Sequence, residues 1–280
     1  MSHGSRRPDH CIFMKLHHQA RGSGPPMIFL HGLLGSLDNW NPVAQAFSDS
    51  HSVYCLDQRN HGASPHADVM DYPLMAEDLN EFFETHGIQS AVVVGHSMGG
   101  KVAMEFALRH PGKVEKLLVE DIAPRLYPAS HVPIFKALQE LDLVRSQTRA
   151  DLEAALEPTI PVLSIRRFLL KNIGRNDQGC FYWKMNLHGL SANYHHLIQP
   201  VSATASFSGP ACFIRGGQSR YVQDADVPLI QSLFPQARIQ TIPDANHWIH
   251  FERLDAFLEL ARNFLSGKTP APGSGKAAVL

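Results

Sequence analysis

Val92-Val93-Val94-Gly95-His96-Ser97-Met98-Gly99-Gly100 is the stretch on which the reading of this chain turns. Three consecutive valines favour a strand, and the residues from Met98 onward favour a helix. Between them lies G-x-S-x-G, the pattern of a sharp strand-to-helix turn that exposes its serine hydroxyl. Gly95 and Gly99 leave space for that turn, and the N-terminus of the following helix favours negative charge beside Ser97. The same residues also spell Gly95-x-x-x-x-Gly100-Lys101, the spacing of a phosphate-cradling loop. That alternative needs a Ser or Thr hydroxyl after the lysine, and position 102 is Val, so the nucleophile turn is preferred.

Outward from this turn, short apolar runs alternate with helical patterns. Strand candidates are Cys11–Leu16, Met27–Leu30, Ser52–Leu56, Ala91–Val94, Lys116–Glu120, Ala211–Arg215 and Arg238–Ile242. The middle ones are continuously apolar, as strands covered on both faces should be. In Pro73–His86, Leu79, Phe82, Phe83 and His86 recur at helical spacing, and Met98–Arg109 and Trp248–Leu265 also read as helices. The alternation predicts an α/β fold, a mostly parallel central sheet flanked by helices. From Arg125 to about Phe207 no clear strand appears, and prolines punctuate a helix-like stretch. An excursion of that length needs structure of its own, and it is read as an inserted helical cap over the sheet's edge. The expected division is a core of 10–124 and 208–266, a cap of 125–207, and disordered tails at 1–9 and 267–280, whose polar and small residues bury too little to order themselves.

Composition narrows the function classes. The chain has 280 residues, and 25 Lys and Arg stand against 26 Asp and Glu, so no basic excess marks a nucleic-acid binder. The 4 cysteines are scattered, as thiols of a reducing compartment are. Met1 to His10 lacks the apolar core of a secretory signal, and no stretch approaches the ~18 apolar residues of a membrane span. The expectation is a cytoplasmic monomer or homodimer without membrane or nucleic-acid partners. The 17 histidines hint at metal or proton chemistry, but no H-E-x-x-H pattern occurs, and no metal or cofactor is expected.

Two further segments carry chemistry. His31-Gly32-Leu33-Leu34-Gly35-Ser36 follows the Met27–Leu30 strand. A glycine-rich loop there can aim backbone N–H groups at a developing oxyanion, with Leu33 and Met98 as the two donors. Ala245-Asn246-His247-Trp248 follows the last strand, and His247 is the best-placed base to take the proton of a serine nucleophile. His250 is read as a helix-face histidine. Asp57-Gln58-Arg59-Asn60-His61-Gly62 is read as loop scaffolding.

These three motifs together resemble the α/β-hydrolase superfamily, over about residues 11 to 265. In many members the triad acid follows the strand after the cap. Here that place reads Gly216-Gly217-Gln218-Ser219, with Ser where Asp would stand. The preferred acid is Asp121, at the end of the Lys116–Glu120 strand, with Ser219 as its hydrogen-bonding neighbour and Asp224 and Asp226 as reserves. The strings His31 to Asn39, Asp57 to Gly62, Gly95 to Lys101, Asp121-Ile122-Ala123-Pro124 and Gly216 to Ser219 sharpen the resemblance to small serine esterases of the YbfF type, whose relatives include abhydrolase-domain proteins. That group takes its acid from the strand-end position, and Asn246 departs from its usual Gly. The resemblance implies a Ser97–His247–Asp121 carboxylic-ester hydrolase acting on small-molecule esters with short acyl chains, and on acyl-CoA thioesters as an extension. A thioesterase or perhydrolase with the same triad and a non-enzymatic ligand-binding protein are the alternatives. For the pocket, the aromatic residues Phe168, Trp183 and Trp248 are candidates, with Arg166 and Arg167 as candidate partners of an anionic leaving group.

Overall fold

A computed structural model describes residues 14–267. The predicted tail at 1–9 and all of 267–280 except Gly267 lie outside the described residues. Among the described residues the chain runs through β1 (His18–Arg21), β2 (Pro26–Leu30), α1 (Asn41–Phe47), β3 (Ser52–Leu56), α2 (Tyr72–Thr85), β4 (Ala91–His96), α3 (Met98–Arg109) and β5 (Val114–Glu120). It continues through α4 (Val132–Gln139), α5 (Arg149–Leu156), α6 (Leu163–Leu170), β6 (Ile173–Arg175), β7 (Phe181–Trp183), α7 (Leu187–Ala192) and α8 (Tyr194–Leu197). It closes with β8 (Ala211–Gly216), α9 (Val227–Leu233), β9 (Ala237–Ile242), α10 (Ile249–Glu252) and α11 (Leu254–Leu265).

Seven strands form one sheet in the order β1-β3-β2-β4-β5-β8-β9. Only β1 is antiparallel to its neighbour. The alternation of side chains along each strand divides the interior in two. Ile28, Leu30, Val93, Leu117 and Val119 point into one core, shared with α2 and α3. Met27, Phe29, Val92, Val94 and Leu118 point into the other, shared with α1 and α11. The central strands therefore read as unbroken apolar runs. The carrier of Ser97, β4, is buried along its whole length between β2 and β5.

Some expectations shift. The strand foreseen at Cys11–Leu16 is not there: Met14–Leu16 are without regular structure, and residues 11–13 lie outside the described residues. The edge strand is the polar His18–Arg21 instead, whose backbone pairs with Val53–Leu56 and whose side chains need no apolar pattern. The helix foreseen at Trp248–Leu265 is two helices, broken at Arg253. The helix of the Pro73–His86 stretch starts at Tyr72, capped by the Asp71 carboxylate accepting from Leu74 N–H at 2.8 Å, and His86 lies just past its end.

The segment between β5 and β8 is mainly helical but contains the two-stranded ribbon β6–β7, so the expectation of no strand there is corrected. Three-residue strands are too short to show a period in sequence. Three asparagines dock this insertion on the loops at the carboxyl ends of the sheet: Asn172 Nδ2 donates to Leu34 O at 2.7 Å, Asn186 N–H to Asn60 O at 2.9 Å, and Asn193 Oδ1 accepts from Met70 N–H at 3.0 Å. Among the described residues no helix is long and apolar enough to cross a membrane.

The loop after β3 is fastened from beneath. Arg59 makes a bidentate pair with Asp78 of α2, both bonds 2.6 Å, in a buried setting. Removing one partner of such a pair strands the other charge away from water. Asp78→Ala is expected to lower unfolding free energy by about 3–5 kcal/mol, read from the midpoint of urea denaturation at an unchanged slope.

Candidate active site

The turn at Ser97 is strained and tightly enclosed. Ser97 holds φ 52 and ψ −117, a conformation that costs on the order of 1–3 kcal/mol and persists only where the surroundings impose it. Its N–H is fixed to Glu120 O at 3.0 Å, across the junction of β4 and β5. A Cβ on Gly95 would lie 2.2 Å from Gly99 O, and one on Gly99 would lie 2.3 Å from Leu30 O. Both positions need glycine because strand and helix backbones touch there.

The end of β5 supplies the partner of His247. Asp121 is fully buried, with φ 50, and its N–H is held by Ile214 O at 2.8 Å. One carboxylate oxygen accepts from Gly216 N–H at 3.0 Å. The other accepts the Ser219 hydroxyl and, at 2.8 Å, His247 Nδ1. His247 is held from three further sides: Tyr221 stacks on its ring at 3.8 Å, His96 Nε2 donates to its carbonyl at 2.9 Å, and α10 begins two residues on. Burial pushes the His247 imidazole down to about 3, so the ring rests neutral with Nε2 free to accept. Burial pushes the Asp121 carboxyl up, against the pull of the Ser219 and Gly216 donors. Among the described residues no hydrogen bond joins Ser97 to the His247 ring. The reserve acids stand elsewhere: Asp224 is exposed and pairs with Arg215 at 2.7 Å, and Asp226 pairs with Arg125 at 2.8 Å.

His250 is not an open helix-face residue. It is buried, stacked on Trp40 at 4.4 Å, and its Nδ1 lies 2.9 Å from both Glu120 oxygens. It anchors the start of α10 to β5.

Leu33, Ser97 and Met98 open onto one cavity of about 530 Å³. Leu33 sits in a loop braced by two neutral histidines. His61 Nε2 accepts from Leu34 N–H at 3.2 Å, and His31 Nε2 accepts from Gln58 N–H at 3.1 Å while its Nδ1 donates to Gly32 O at 2.8 Å. Among the described residues no backbone hydrogen bond uses the N–H of Leu33 or Met98, so both remain available as donors. Burial pushes His31 down to about 4 and His61 down to about 3. Asp57 accepts from the N–H groups of Leu37 and Ala63 and closes the neighbouring loop.

The aromatic and cationic candidates divide differently. Phe168, Trp248 and Arg167 line a second cavity of about 560 Å³, on the Trp248 side of His247, that does not include Ser97. Arg166 turns inward, donating to the carbonyls of Ile160 at 2.9 Å and Pro161 at 3.0 Å. Trp183 lies on β7 and lines neither cavity. The wall of the Ser97 cavity is made instead by Tyr72, Lys101, Tyr127, Ile198 and Tyr221. The sequence offered little signal for these as a cavity wall, because isolated tyrosines carry no pattern and Lys101 read only as part of the nucleophile-turn string. The adjacency of Tyr221 to the Gly216–Ser219 string was the one usable clue.

The chain matches the family model described as alpha/beta hydrolase fold over residues 25–159. It is 38% identical over 254 residues to the sn-1-specific diacylglycerol lipase ABHD11 of Danio rerio, covering 88% of this chain and 80% of that one. It is 35% identical over 249 residues to esterase YbfF of Escherichia coli strain K12, covering 89% and 96%. Among solved structures it is similar to a marine microorganism esterase, with a TM-score of 0.88, 42% identity, and coverage of 90% of this chain and 99% of that one.

The bracing histidines generate a pH prediction. The folded protein holds His61 neutral, whereas the unfolded chain protonates it below about 6.5. Its contribution to stability is therefore complete above pH 6.5 and is lost as pH falls from 6.5 towards about 3, at about 1.4 kcal/mol per pH unit. In His61→Gln, which retains an acceptor for Leu34 N–H, urea unfolding at pH 6.5, 5.5 and 4.5 is expected to show a loss shallower than wild type by that amount. Identical pH slopes would contradict it.

Proposed function

Since this chain belongs to the α/β-hydrolase-fold family and is an esterase- or lipase-type hydrolase, we propose that it is a serine carboxylic-ester hydrolase that works through Ser97, His247 and Asp121. The observation that carries this reading is the 2.8 Å bond between Asp121 and a neutral His247, beside a strained Ser97 that shares its cavity with Leu33 and Met98.

Ser97 Oγ attacks the ester carbonyl carbon as His247 Nε2 takes its proton. The Ser97–His247 hydrogen bond closes as substrate engages, as such bonds commonly do. Asp121 fixes the tautomer with Nδ1 protonated and stabilises the imidazolium that forms. Its own charge is supported by Ser219 and Gly216, so the serine in the later loop serves the acid rather than replacing it. The Leu33 and Met98 N–H groups receive the oxyanion. Collapse expels the alcohol, with the proton returned by His247, and leaves an acyl-Ser97 ester. Water then repeats the sequence with the same base and frees the carboxylic acid.

The insertion, residues 125–207, acts as the cap over a core of 10–124 and 208–266. A cavity of about 530 Å³ suits a small-molecule ester with a short acyl chain. For the acyl-CoA extension, Arg166 is committed to carbonyls within the insertion and Arg167 pairs with Glu153, whereas Arg125 and Arg220 line the Ser97 cavity. The buried thiols Cys55 and Cys212 fit a reducing, cytoplasmic setting.

A panel of p-nitrophenyl esters tests the reading. Ser97→Ala should lose about 10⁴-fold or more in kcat and its labelling by a fluorophosphonate probe. Asp121→Asn should fall by a comparable factor, whereas Asp224→Asn should stay within about twofold, because its carboxylate sits on Arg215 at the surface. Full turnover in Ser97→Ala would end the proposal, and loss in Asp224→Asn alone would move the acid.

A further inference from the structure

The proposed mechanism makes no use of the buried amine of Lys101, which burial pushes down to about 7. Lys101 lies on α3 one turn after Ser97 and is 1% exposed. Its ammonium donates to the carbonyls of Arg125 at 2.8 Å, Gln199 at 2.5 Å and Ile198 at 3.4 Å. Three N–H donors meet three carbonyls, so none is left for a ligand. The rings of Tyr72 and Tyr127 flank it, with centroids at 5.2 and 4.7 Å. The lysine that completes the phosphate-loop spacing in sequence thus faces backbone carbonyls of the insertion.

Those carbonyls form the neck of the insertion. Tyr127 N–H donates to Ile198 O at 2.9 Å and Val201 N–H to Pro124 O at 3.3 Å, so the departing and returning chains are zipped together. One further turn along α3, the fully buried Glu105 accepts from Ser202 N–H at 2.7 Å, the Ser202 hydroxyl at 2.5 Å and Ala203 N–H at 3.4 Å. The Tyr72 hydroxyl takes the carbonyl of Leu197 at 2.5 Å. Along residues 197–203, a phenol and an ammonium hold the carbonyls while a carboxylate holds the N–H groups, and all three come from α2 and α3. Four residues of the same neck, Arg125, Tyr127, Leu197 and Ile198, wall the cavity that contains Ser97.

We propose that Lys101, together with Glu105, is a positioning residue that locks the neck of the insertion to the nucleophile helix and thereby sets the width of the substrate cavity. The inference rests on reading that cavity as the ester site. Removing the ammonium takes the Lys101 donor from the carbonyls of Arg125 and Gln199, while Ile198 O keeps the N–H of Tyr127, and a displaced neck relieves the two by admitting water. The displaced wall alters how substrate fits, while Ser97, His247 and Asp121 remain held by β4, β5 and β8. Lys101 therefore acts on KM and selectivity more than on kcat.

The test compares hydrolysis of p-nitrophenyl acetate, butyrate, octanoate and decanoate by wild type, Lys101→Met, Lys101→Arg and Glu105→Gln, alongside hydrogen exchange across residues 197–203. Lys101→Met is expected to raise KM for the preferred ester at least tenfold with kcat within threefold, to flatten the chain-length preference, and to speed exchange at 197–203 at least tenfold while α11 is unchanged. Lys101→Arg, which keeps charge and donors, should restore most of the preference, and Glu105→Gln should shift both readouts in the same direction by less. Unchanged preference and exchange in Lys101→Met, or a fall in kcat at constant KM, overturns the proposal. If Lys101→Met does not fold, Glu105→Gln decides by the same two readouts. If wild type hydrolyses none of the esters, the ester reading fails, and exchange at 197–203 still tests the lock.

Discussion

The termination of β5 at Glu120 and Asp121 is the constraint on which the site depends. The Glu120 carbonyl takes the N–H of Ser97, and its side chain takes the ring and N–H of His250. The next residue turns to φ 50 and sends its carboxylate to His247, Ser219 and Gly216. Two adjacent acids therefore govern two different partners because they leave a strand on opposite faces. A one-residue slip of β5 against β4 and β8 would exchange the two carboxylates.

The electrostatic strategy at this junction is to hold its histidines neutral. Asp121 has no cation in direct contact, and its carboxylate is held by a hydroxyl, an N–H and an imidazole. His31, His61, His96 and His247 are all kept uncharged by burial, and His31 and His61 accept backbone N–H groups only in that form. One layer away, the Arg59–Asp78 and Arg109–Glu105 pairs and the amine of Lys101 serve the framework. Catalysis of the proposed kind gains from this arrangement, since a neutral base in a dry setting is ready to accept a proton, and fixed donors need no rearrangement to receive an oxyanion.

How much of this was legible in the sequence follows from how local each signal is. The elbow was readable because Gly95, Ser97 and Gly99 lie within one turn and each is needed by contacts a few residues away. Asp121 and Ser219 were readable as a strand-end acid and a loop serine. The insertion was not, because its helices show which side is apolar but not where their ends point. Arg166 thus reads as a partner for an anionic leaving group, whereas its guanidinium closes the turn before its own helix. Residues Ile173–Arg175 and Phe181–Trp183 are too few to show a strand period, and His18–Arg21 is a polar edge whose pairing is purely backbone. Lys101 completes a phosphate-loop spacing that Val102 already argues against, and only the fold places the carbonyls of residues 125, 198 and 199 around it.

The sheet order has a consequence in time. During synthesis, β4 and its serine emerge before the carbonyl that fixes the elbow, and Asp121 emerges before the loop that stabilises its charge. The whole insertion then intervenes, and His247 follows only after β9, with α10 and α11 behind it. A serine without its base is a weak nucleophile. On the proposed mechanism, Ser97 is therefore chemically quiet until His247 has been made. On the same reading, a local opening of α10, which follows His247, would silence the proposed site while the sheet is still intact.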